Sequence, residues 1–226
     1  MTEKKITKDI ASLEILEPEF EGVYGKYKIT MADKLEVRRY RIAVLICGAS
    51  FVSGIGQWLI IGPGNAWIWL IPMSISLGLA LKWIHIYIKA IHLTLQTLWA
   101  LGSIGIVILI FTGDPNQLLS TLTLNKFEVL AIGPFFAALT GLGFKEFFCF
   151  RQPEAIGVTL FLPITLLGHS LGALKPSISM FLLSLSSLLL LILGFRKFGM
   201  DPASDIGDKS VFEYLKNMQS TNTSSI

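Results

Sequence analysis

Residues 42–61 read IAVLICGASFVSGIGQWLII, a run that contains no Asp, Glu, Lys or Arg. An α-helix needs about 20 mostly apolar residues to cross the hydrocarbon core of a bilayer. The stretch therefore predicts a membrane-spanning helix.

Charged residues are sparse in the middle of the chain. Of the 226 residues, 17 charged ones fall in residues 1–41, 10 in residues 42–195 and 8 in residues 196–226. Charged residues make up 15% of the chain, against about 25% in soluble domains. This composition excludes an ordinary soluble enzyme, a nucleic-acid binder and a disordered protein. It predicts an all-α polytopic membrane protein.

Six transmembrane helices are predicted within residues 42–195. Their ranges are 42–61, 65–81, 88–111, 128–148, 155–174 and 177–195, with the third helix beginning earlier, near Lys82. The Lys and Arg residues that flank the spans number ten on the side of the chain termini and two, Lys126 and Lys175, on the other. Because positive residues favour the cytoplasmic side, both termini are predicted to be cytoplasmic.

The two ends of the chain are predicted to be short cytoplasmic segments. Residues 1–41 carry a short amphipathic helix at 6–17 and then a loop or short hairpin at 18–29. Thr30 and Asp33 have the spacing of a capping box that opens the first long helix, and Ser210 and Glu213 repeat that spacing in the tail, residues 196–226.

A polar stripe on the third span is the strongest candidate site. Its members recur at alternating steps of three and four residues, which puts them on one helix face: Lys82, His85, Lys89, His92, Gln96, Trp99 and Ser103. Ionisable residues inside a membrane are functional candidates. The alternative is structural, with the lysines reaching the interface and Gln96 bonding a neighbouring helix.

Two further features lie on the fourth and fifth spans. Lys145 and Glu146 sit at the cytoplasmic end of the fourth span, where Glu146 could pair with Lys89, His85 or Arg151, either as an interfacial charge cluster or as part of a site. His169 lies in the fifth span within GHSLG, which is inside an apolar helix and so does not form a serine nucleophile elbow. Small residues at helix-packing spacing mark both spans: Gly133, Ala137, Gly141, Gly168 and Gly172.

Short matches between the two halves suggest a 3+3 inverted repeat, a plan found in many transporters. VSGIG at 52–56 resembles LTGLG at 139–143, and SLG occurs at both 76–78 and 170–172. Pro72 and Pro163 are expected to kink their helices near mid-membrane.

Several segments together resemble a known family of membrane proteins. They are FEGVYGKYKIT, ADKLEVRRYR, GQW, KWIHIYIKAIHLTLQTLW and GLGFKEFFCF. This pattern is similar to the cyanobacterial and plastid integral membrane proteins grouped as domain of unknown function 2301, over residues 20–195. The resemblance implies a photosynthetic host and a thylakoid or plasma membrane, and it implies no activity.

Two functions follow as hypotheses. The first is a non-catalytic auxiliary, assembly or pigment-handling factor of the photosynthetic membrane, with photosystem subunits as partners and chlorophyll or another tetrapyrrole bound through histidine. The alternative is a small transporter or channel that uses the stripe on the third span. We expect neither an enzyme nor a metal site, since the sequence has no paired acid and base, metal-ligand cluster or phosphate loop. Beyond the bilayer and these subunits, no nucleic acid is expected as a partner.

Overall fold

The computed structural model of the chain describes residues 19–125, 128–212 and 214–215. The predicted amphipathic helix at 6–17 lies outside the described residues. The chain divides into two compact units: residues 39–200 form one, and the described residues before and after them form the other.

The smaller unit is built on a β-hairpin. Strands β1 (Glu19–Gly22) and β2 (Gly25–Lys28) pair antiparallel with Glu19 opposite Lys28, so of the two predicted alternatives, a loop or a short hairpin, the structure has the hairpin. Thr30 and Asp33 then cap helix α1 (Met31–Ile60): the Asp33 amide donates to the Thr30 hydroxyl and the Thr30 amide to the Asp33 carboxylate. The predicted capping box is therefore confirmed.

The C-terminal tail also belongs to this unit, and the N-cap of its short helix is not the predicted residue, Ser210. A short helix begins at Lys209, and the Asp208 carboxylate accepts from the amides of Ser210 and Val23, at 2.9 and 2.7 Å. The N-cap is thus Asp208, and the Ser210 hydroxyl accepts from the Tyr24 amide instead. Ser210 and Tyr24 face each other across this unit, a long-range contact that the local spacing could not indicate.

The larger unit is a helical bundle. After α1 the α-helices are α2 (Leu70–Trp83), α3 (Lys89–Thr112), α4 (Leu118–Leu124), α5 (Glu128–Phe150), α6 (Pro153–Ser170), α7 (Pro176–Arg196) and α8 (Pro202–Ile206). Three 3₁₀ turns lie between them: Gly64–Trp69 before α2, Pro115–Gln117 before α4 and Lys197–Gly199 after α7. Helix α8 belongs to the smaller unit. Among the described residues, five helical stretches are long and apolar enough to cross a membrane: Met31–Ile60, Gly64–Trp83, Lys89–Thr112, Glu128–Phe150 and Pro176–Gly199. The remaining long helix, α6, has 18 residues and carries Glu154 and His169 near its ends.

The connection between α2 and α3 differs from the prediction. Residues 84–88 are not helical, and α3 begins at Lys89 rather than near Lys82. Three β-branched residues, Ile84, Ile86 and Ile88, alternate there, and such side chains lose rotamer freedom in a helix. Lys82 and His85 therefore do not continue the stripe of α3. Pro72 likewise lies in the first turn of α2 instead of at its middle.

The helices approach most closely where glycine removes a side chain. A Cβ atom added at Gly102 would lie 2.1 Å from the backbone nitrogen of Phe135, and one at Gly105 would lie 2.1 Å from the carbonyl oxygen of Ala131. These two contacts join α3 to α5. A second close contact joins α1 to α7, where a Cβ atom at Gly48 would lie 2.8 Å from the Cα atom of Leu191.

Candidate functional site

Four polar side chains meet inside the helical unit at one end of the bundle. We call this group the charge cluster: Tyr40, Lys145, Glu146 and Lys197. Glu146 and Lys197 are both completely buried. The Lys197 ammonium lies 2.5 Å from Oε2 of Glu146, and the Lys145 ammonium lies 3.2 Å from Oε1. The Tyr40 hydroxyl donates a hydrogen bond to Oε1. One carboxylate therefore accepts from three donors.

Three elements bring these side chains together. Tyr40 lies on α1, Lys145 and Glu146 lie near the C-terminus of α5, and Lys197 opens the 3₁₀ turn that follows α7. Helix α5 ends at Phe150, and Arg151 adopts a φ of 51°, the left-handed conformation common at helix ends. The cluster is consequently held by the ends of helices that are distant in sequence.

Two aromatic rings flank the ammonium groups. The Nζ atom of Lys197 lies 5.1 Å from the ring centroid of Tyr40 and 4.6 Å from that of Phe150. The corresponding distances from Lys145 are 5.3 and 4.7 Å. Cations at this distance from a ring face are stabilised by the negative potential of that face. The rings thus offset part of the cost of burying two positive charges.

The cluster differs in energy from an ion pair at the edge of the bundle. Taking an ion out of water costs several kcal/mol, which is recovered only with good geometry and satisfied hydrogen bonds. By contrast, the pair between Arg196 and Glu154, 2.7 Å apart, has an arginine side chain that is 54% exposed, and such pairs contribute little. Two lysines against one glutamate also leave a formal excess of one positive charge, in a place where charge is expensive.

Lys145 and Glu146 were predicted as candidates, but their partners were not. Glu146 pairs with Lys197 and Tyr40 rather than with Lys89, His85 or Arg151, and the side chain of Lys89 is exposed. The site therefore does not include the stripe on α3. A lysine just after an apolar helix usually reaches the interface, so the sequence held no signal that Lys197 is buried.

The polar residues of α3 form a seam along α2. The ring Nε2 of His92 lies 2.6 Å from the carbonyl oxygen of Leu81, and the Gln96 side-chain nitrogen lies 3.3 Å from the same oxygen. Because a carbonyl oxygen only accepts, Nε2 of His92 carries the proton. Leu81 is in the last turn of α2, whose carbonyl groups lack helical partners. His92 and Gln96 therefore satisfy a helix end.

Further along the seam, the indole of Trp99 donates to the Ser74 carbonyl oxygen at 2.8 Å, and the hydroxyls of Ser103 and Ser74 lie 2.7 Å apart. The Trp99 ring covers Gly78, which leaves no room for a side chain there. His85 is half-buried in the non-helical connection between α2 and α3.

The predicted GHSLG packing motif ends a helix instead. Helix α6 stops at Ser170, and Gly172 has a φ of 70°. The Gly172 amide donates to the carbonyl of His169, and the Ala173 amide donates to that of Gly168, which together form a Schellman motif. The role of Gly172 is conformational, and Gly168 packs on Leu174 of its own loop.

The small residues of α5 also differ from one another in their contacts. Gly141 packs against Leu95 of α3, since an added Cβ atom would lie 2.2 Å from its side chain. Nothing lies within 4 Å of such an atom at Gly133, and Ala137 is exposed. The predicted helix-packing role of Gly133 and Ala137 therefore has no contact to support it among the described residues, and it stays a prediction. The close contact uses Gly102 and Gly105, which the sequence analysis did not single out.

The remaining histidine, His169, has its Nε2 atom 3.3 Å from the carbonyl oxygen of Leu122. In the part of the chain that the structure describes, no three His, Cys, Asp or Glu side chains lie close enough to hold a metal ion. Tetrapyrrole binding through histidine stays a prediction.

Comparisons with known proteins give a family and a relative. The family described as "Uncharacterized integral membrane protein (DUF2301)" matches residues 79–214. An uncharacterized protein of Haemophilus influenzae is 32% identical over 132 residues, which are 58% of this chain and 66% of that protein, slightly under two thirds of its length. No solved structure matches the chain. The similarity is therefore not confined to cyanobacteria and plastids, which corrects that expectation.

Proposed function

Because the chain belongs to the DUF2301 family of integral membrane proteins, we propose that it is a small multi-pass transporter driven by protons, with the charge cluster as its proton-accepting element. The observation that carries this proposal is the complete burial of Glu146 and Lys197 inside a bundle of apolar helices. Intramembrane ionisable groups commonly form ion pathways and proton relays. The protein is thus a transporter rather than an enzyme in this proposal.

The chemistry of the cluster suggests how a proton would act. Among its charged groups, the Glu146 carboxylate is the one that gains a proton from its ionised form. A proton on Glu146 would remove the negative charge that holds the ammonium groups of Lys145 and Lys197. The two ammonium groups would then repel one another. The expected response is separation of the end of α5 from the turn that follows α7.

We further propose six membrane spans with both termini in the cytoplasm, in a plasma or thylakoid membrane. The sixth span would be α6, whose 18 residues have a buried face that includes Val158 and Leu162. Ten flanking lysines and arginines on the side of the termini support this orientation. The charge cluster would then lie at the cytoplasmic end of the bundle. Thiol labelling of single cysteines introduced beside Lys126 and Lys175 tests it, because these sites should react from outside intact cells.

Two glycine contacts support a 3+3 inverted repeat. The alignment of residues 52–56 with 139–143 sets Gly48 opposite Phe135. Gly48 of α1 contacts Leu191 of α7, while Phe135 of α5 contacts Gly102 of α3. The first and last spans therefore approach as the third and fourth do, which an inverted repeat requires.

Each of these two helix pairs has a second glycine contact, and these contacts also fit the repeat. If Gly102 corresponds to Leu191, then Gly105 corresponds to Gly194. Gly105 lies against Ala131 of α5, and Gly194 lies against Leu45 of α1. Under the same alignment Leu45 falls one residue from Ala131, so both close contacts recur in the two halves.

The competing hypothesis is the auxiliary or pigment-handling factor of a photosynthetic membrane, with photosystem subunits as partners. It needs an imidazole nitrogen that is open to a ligand, and Nε2 of His92 and Nε2 of His169 each contact a backbone carbonyl oxygen, which leaves Nδ1 of each ring for that role. The relative in Haemophilus influenzae lies outside the cyanobacterial and plastid groups. This second observation favours the transporter.

Proteoliposomes that enclose a pH-sensitive dye test the proposal. With an interior-negative potassium diffusion potential, we expect the wild-type protein to acidify the lumen faster than protein-free liposomes do. Glu146→Gln should lower the rate at least tenfold. The matched control is Glu154→Gln, because Glu154 pairs with the half-exposed Arg196 at the edge of the bundle and should leave the rate unchanged. Equal rates for the wild type and Glu146→Gln would contradict the proposal.

A further inference from the structure

A second site lies in the same helical unit, away from the charge cluster. It is a cavity of about 130 Å³ whose walls are almost wholly apolar. Side chains from α1, α5, α6 and α7 form most of the wall, and the start of α2 and helix α4 close it. Phe51, Phe136, Leu166 and Met180 are typical of its lining.

Besides the indoles of Trp58 and Trp69, four of the lining residues carry polar side-chain groups, and two of these four are satisfied within their own helix. The hydroxyl of Ser50 donates to the carbonyl of Ile46 at 2.8 Å, and that of Thr165 donates to the carbonyl of Phe161 at 2.6 Å. Side-chain to backbone bonds of this kind are ordinary for serine and threonine in helices. Neither group needs a ligand.

Ser179 on α7 is different. The residue is 6% exposed and lines the cavity, yet its hydroxyl has no hydrogen-bond partner among the described residues. A buried polar group without a partner carries a desolvation cost. His169 lines the same cavity, and a bond from its Nε2 to the Leu122 carbonyl leaves Nδ1 as an acceptor. The cavity thus offers one unsatisfied hydroxyl and one ring nitrogen on an apolar wall.

We propose that this cavity binds a neutral, mainly apolar molecule about the size of a single six-membered ring, with one hydroxyl or carbonyl oxygen that hydrogen-bonds to Ser179. An engineered apolar cavity of about 150 Å³ in another protein binds benzene, so the volume fits such a ring. An ordered water needs two to four polar partners and is poorly held here. The inference rests on the proposed function in one respect, since the ligand would be the transported molecule.

Two fluorinated probes that differ by one hydroxyl test the site. The protein in phospholipid nanodiscs is titrated with 4-fluorophenol and with fluorobenzene, and binding is followed by ¹⁹F NMR against empty nanodiscs. We expect saturable binding of both, with 4-fluorophenol about fivefold tighter, because a neutral hydrogen bond contributes about that factor. Absence of saturable binding, or equal affinity for the two probes, overturns the proposal.

Variants on α7 and α5 locate the binding. Ser179→Ala should weaken 4-fluorophenol about fivefold and leave fluorobenzene unchanged, while Ile132→Trp should fill the cavity and abolish both. The matched control is Ser184→Ala, since the Ser184 hydroxyl on the same helix already donates to the Met180 carbonyl at 2.8 Å. Equal effects of Ser179→Ala and Ser184→Ala overturn the assignment. If Ser179→Ala does not fold, the two probes on the wild type still decide.

The test separates this site from the proposed function. Glu146 does not line the cavity, so Glu146→Gln should keep saturable binding of 4-fluorophenol while losing proton flux. Saturable binding in a wild-type protein without proton flux would support the cavity and contradict the transporter. Proton flux without saturable probe binding would support the transporter and contradict the cavity site.

Discussion

The ammonium group of Lys197 lies 2.5 Å from the carboxylate of Glu146, and neither side chain is exposed, whereas its neighbour Arg196 reaches the edge of the bundle. Two adjacent basic residues therefore differ in burial. Removal of one partner from a buried pair costs about 3–5 kcal/mol, because the other charge stays buried and unpaired. An exposed pair contributes about 0–1 kcal/mol.

We expect Lys197→Met to lower the free energy of unfolding more than Arg196→Met does, because Lys197 is completely buried whereas the Arg196 side chain is 54% exposed; Glu146 then keeps Lys145 and Tyr40 as partners. Thermal unfolding of the purified variants in the same detergent measures the difference. Similar melting temperatures for Lys197→Met and Arg196→Met would show that the cluster is not the stabilising contact described above.

The close contact of α3 with α5 gives a second prediction. A side chain at Gly102 would meet the backbone of Phe135, and overpacking of that kind costs about 1–3 kcal/mol or more. Gly102→Leu should therefore prevent recovery of folded protein. The control is Gly133→Leu on α5, where nothing lies within 4 Å of an added Cβ atom. Loss of folding in both variants, judged by monodispersity on gel filtration, would contradict the prediction.

A third prediction concerns pH and the hairpin. Hydrogen bonds from the Ser210 hydroxyl and the Val23 amide hold the pKa of Asp208 below its ordinary value of 3.8. A lowered pKa means that the contact stabilises the fold above pH 3.8 and is lost as the pH falls through the pKa of the folded state. The Val23 amide should thus be protected from hydrogen exchange at pH 6 and lose protection below pH 3.8. In Asp208→Asn this pH dependence should disappear; if it persists, another group is responsible.

A fourth prediction separates the structural and cofactor interpretations of His92. His92→Ala should remove the closer of the two donors to the Leu81 carbonyl, with Gln96 remaining, and lower stability by about 1 kcal/mol, with no change in visible absorption. The spectrum is recorded on protein purified from its native membranes in mild detergent. A stoichiometric pigment or haem band that is lost in His92→Ala or His169→Ala would instead favour the pigment-handling factor.

The sequence was a good guide wherever a rule is local. The scarcity of charged residues in 42–195 predicted a membrane protein, and the spacing of Thr30 and Asp33 predicted a helix start that the hydrogen bonds confirm. Both signals depend on residues close to one another in the chain. The hairpin at residues 19–28 belongs to the same group.

Contacts between distant segments were harder to predict from the sequence. The alternation of three and four residues from Lys82 to Ser103 fits one helix, but residues 84–88 interrupt it, so that only the part from His92 onwards lies along α2. Glu146 was recognised as a candidate because a carboxylate in an apolar span is unusual. Its partners, Tyr40 and Lys197, lie 106 and 51 residues away in the chain and have no feature that identifies them.

The cavity and the charge cluster share helices α1 and α5. On α5, for example, Ile132 lines the cavity and Glu146 lies in the cluster, roughly 20 Å further along at about 1.5 Å per residue. Helix α5 thus joins the two sites directly, with Pro134 inside the segment between Ile132 and Glu146. Thermodynamic reciprocity then applies: whatever factor a proton on Glu146 imposes on occupancy of the cavity, an occupant imposes the same factor on the affinity for that proton.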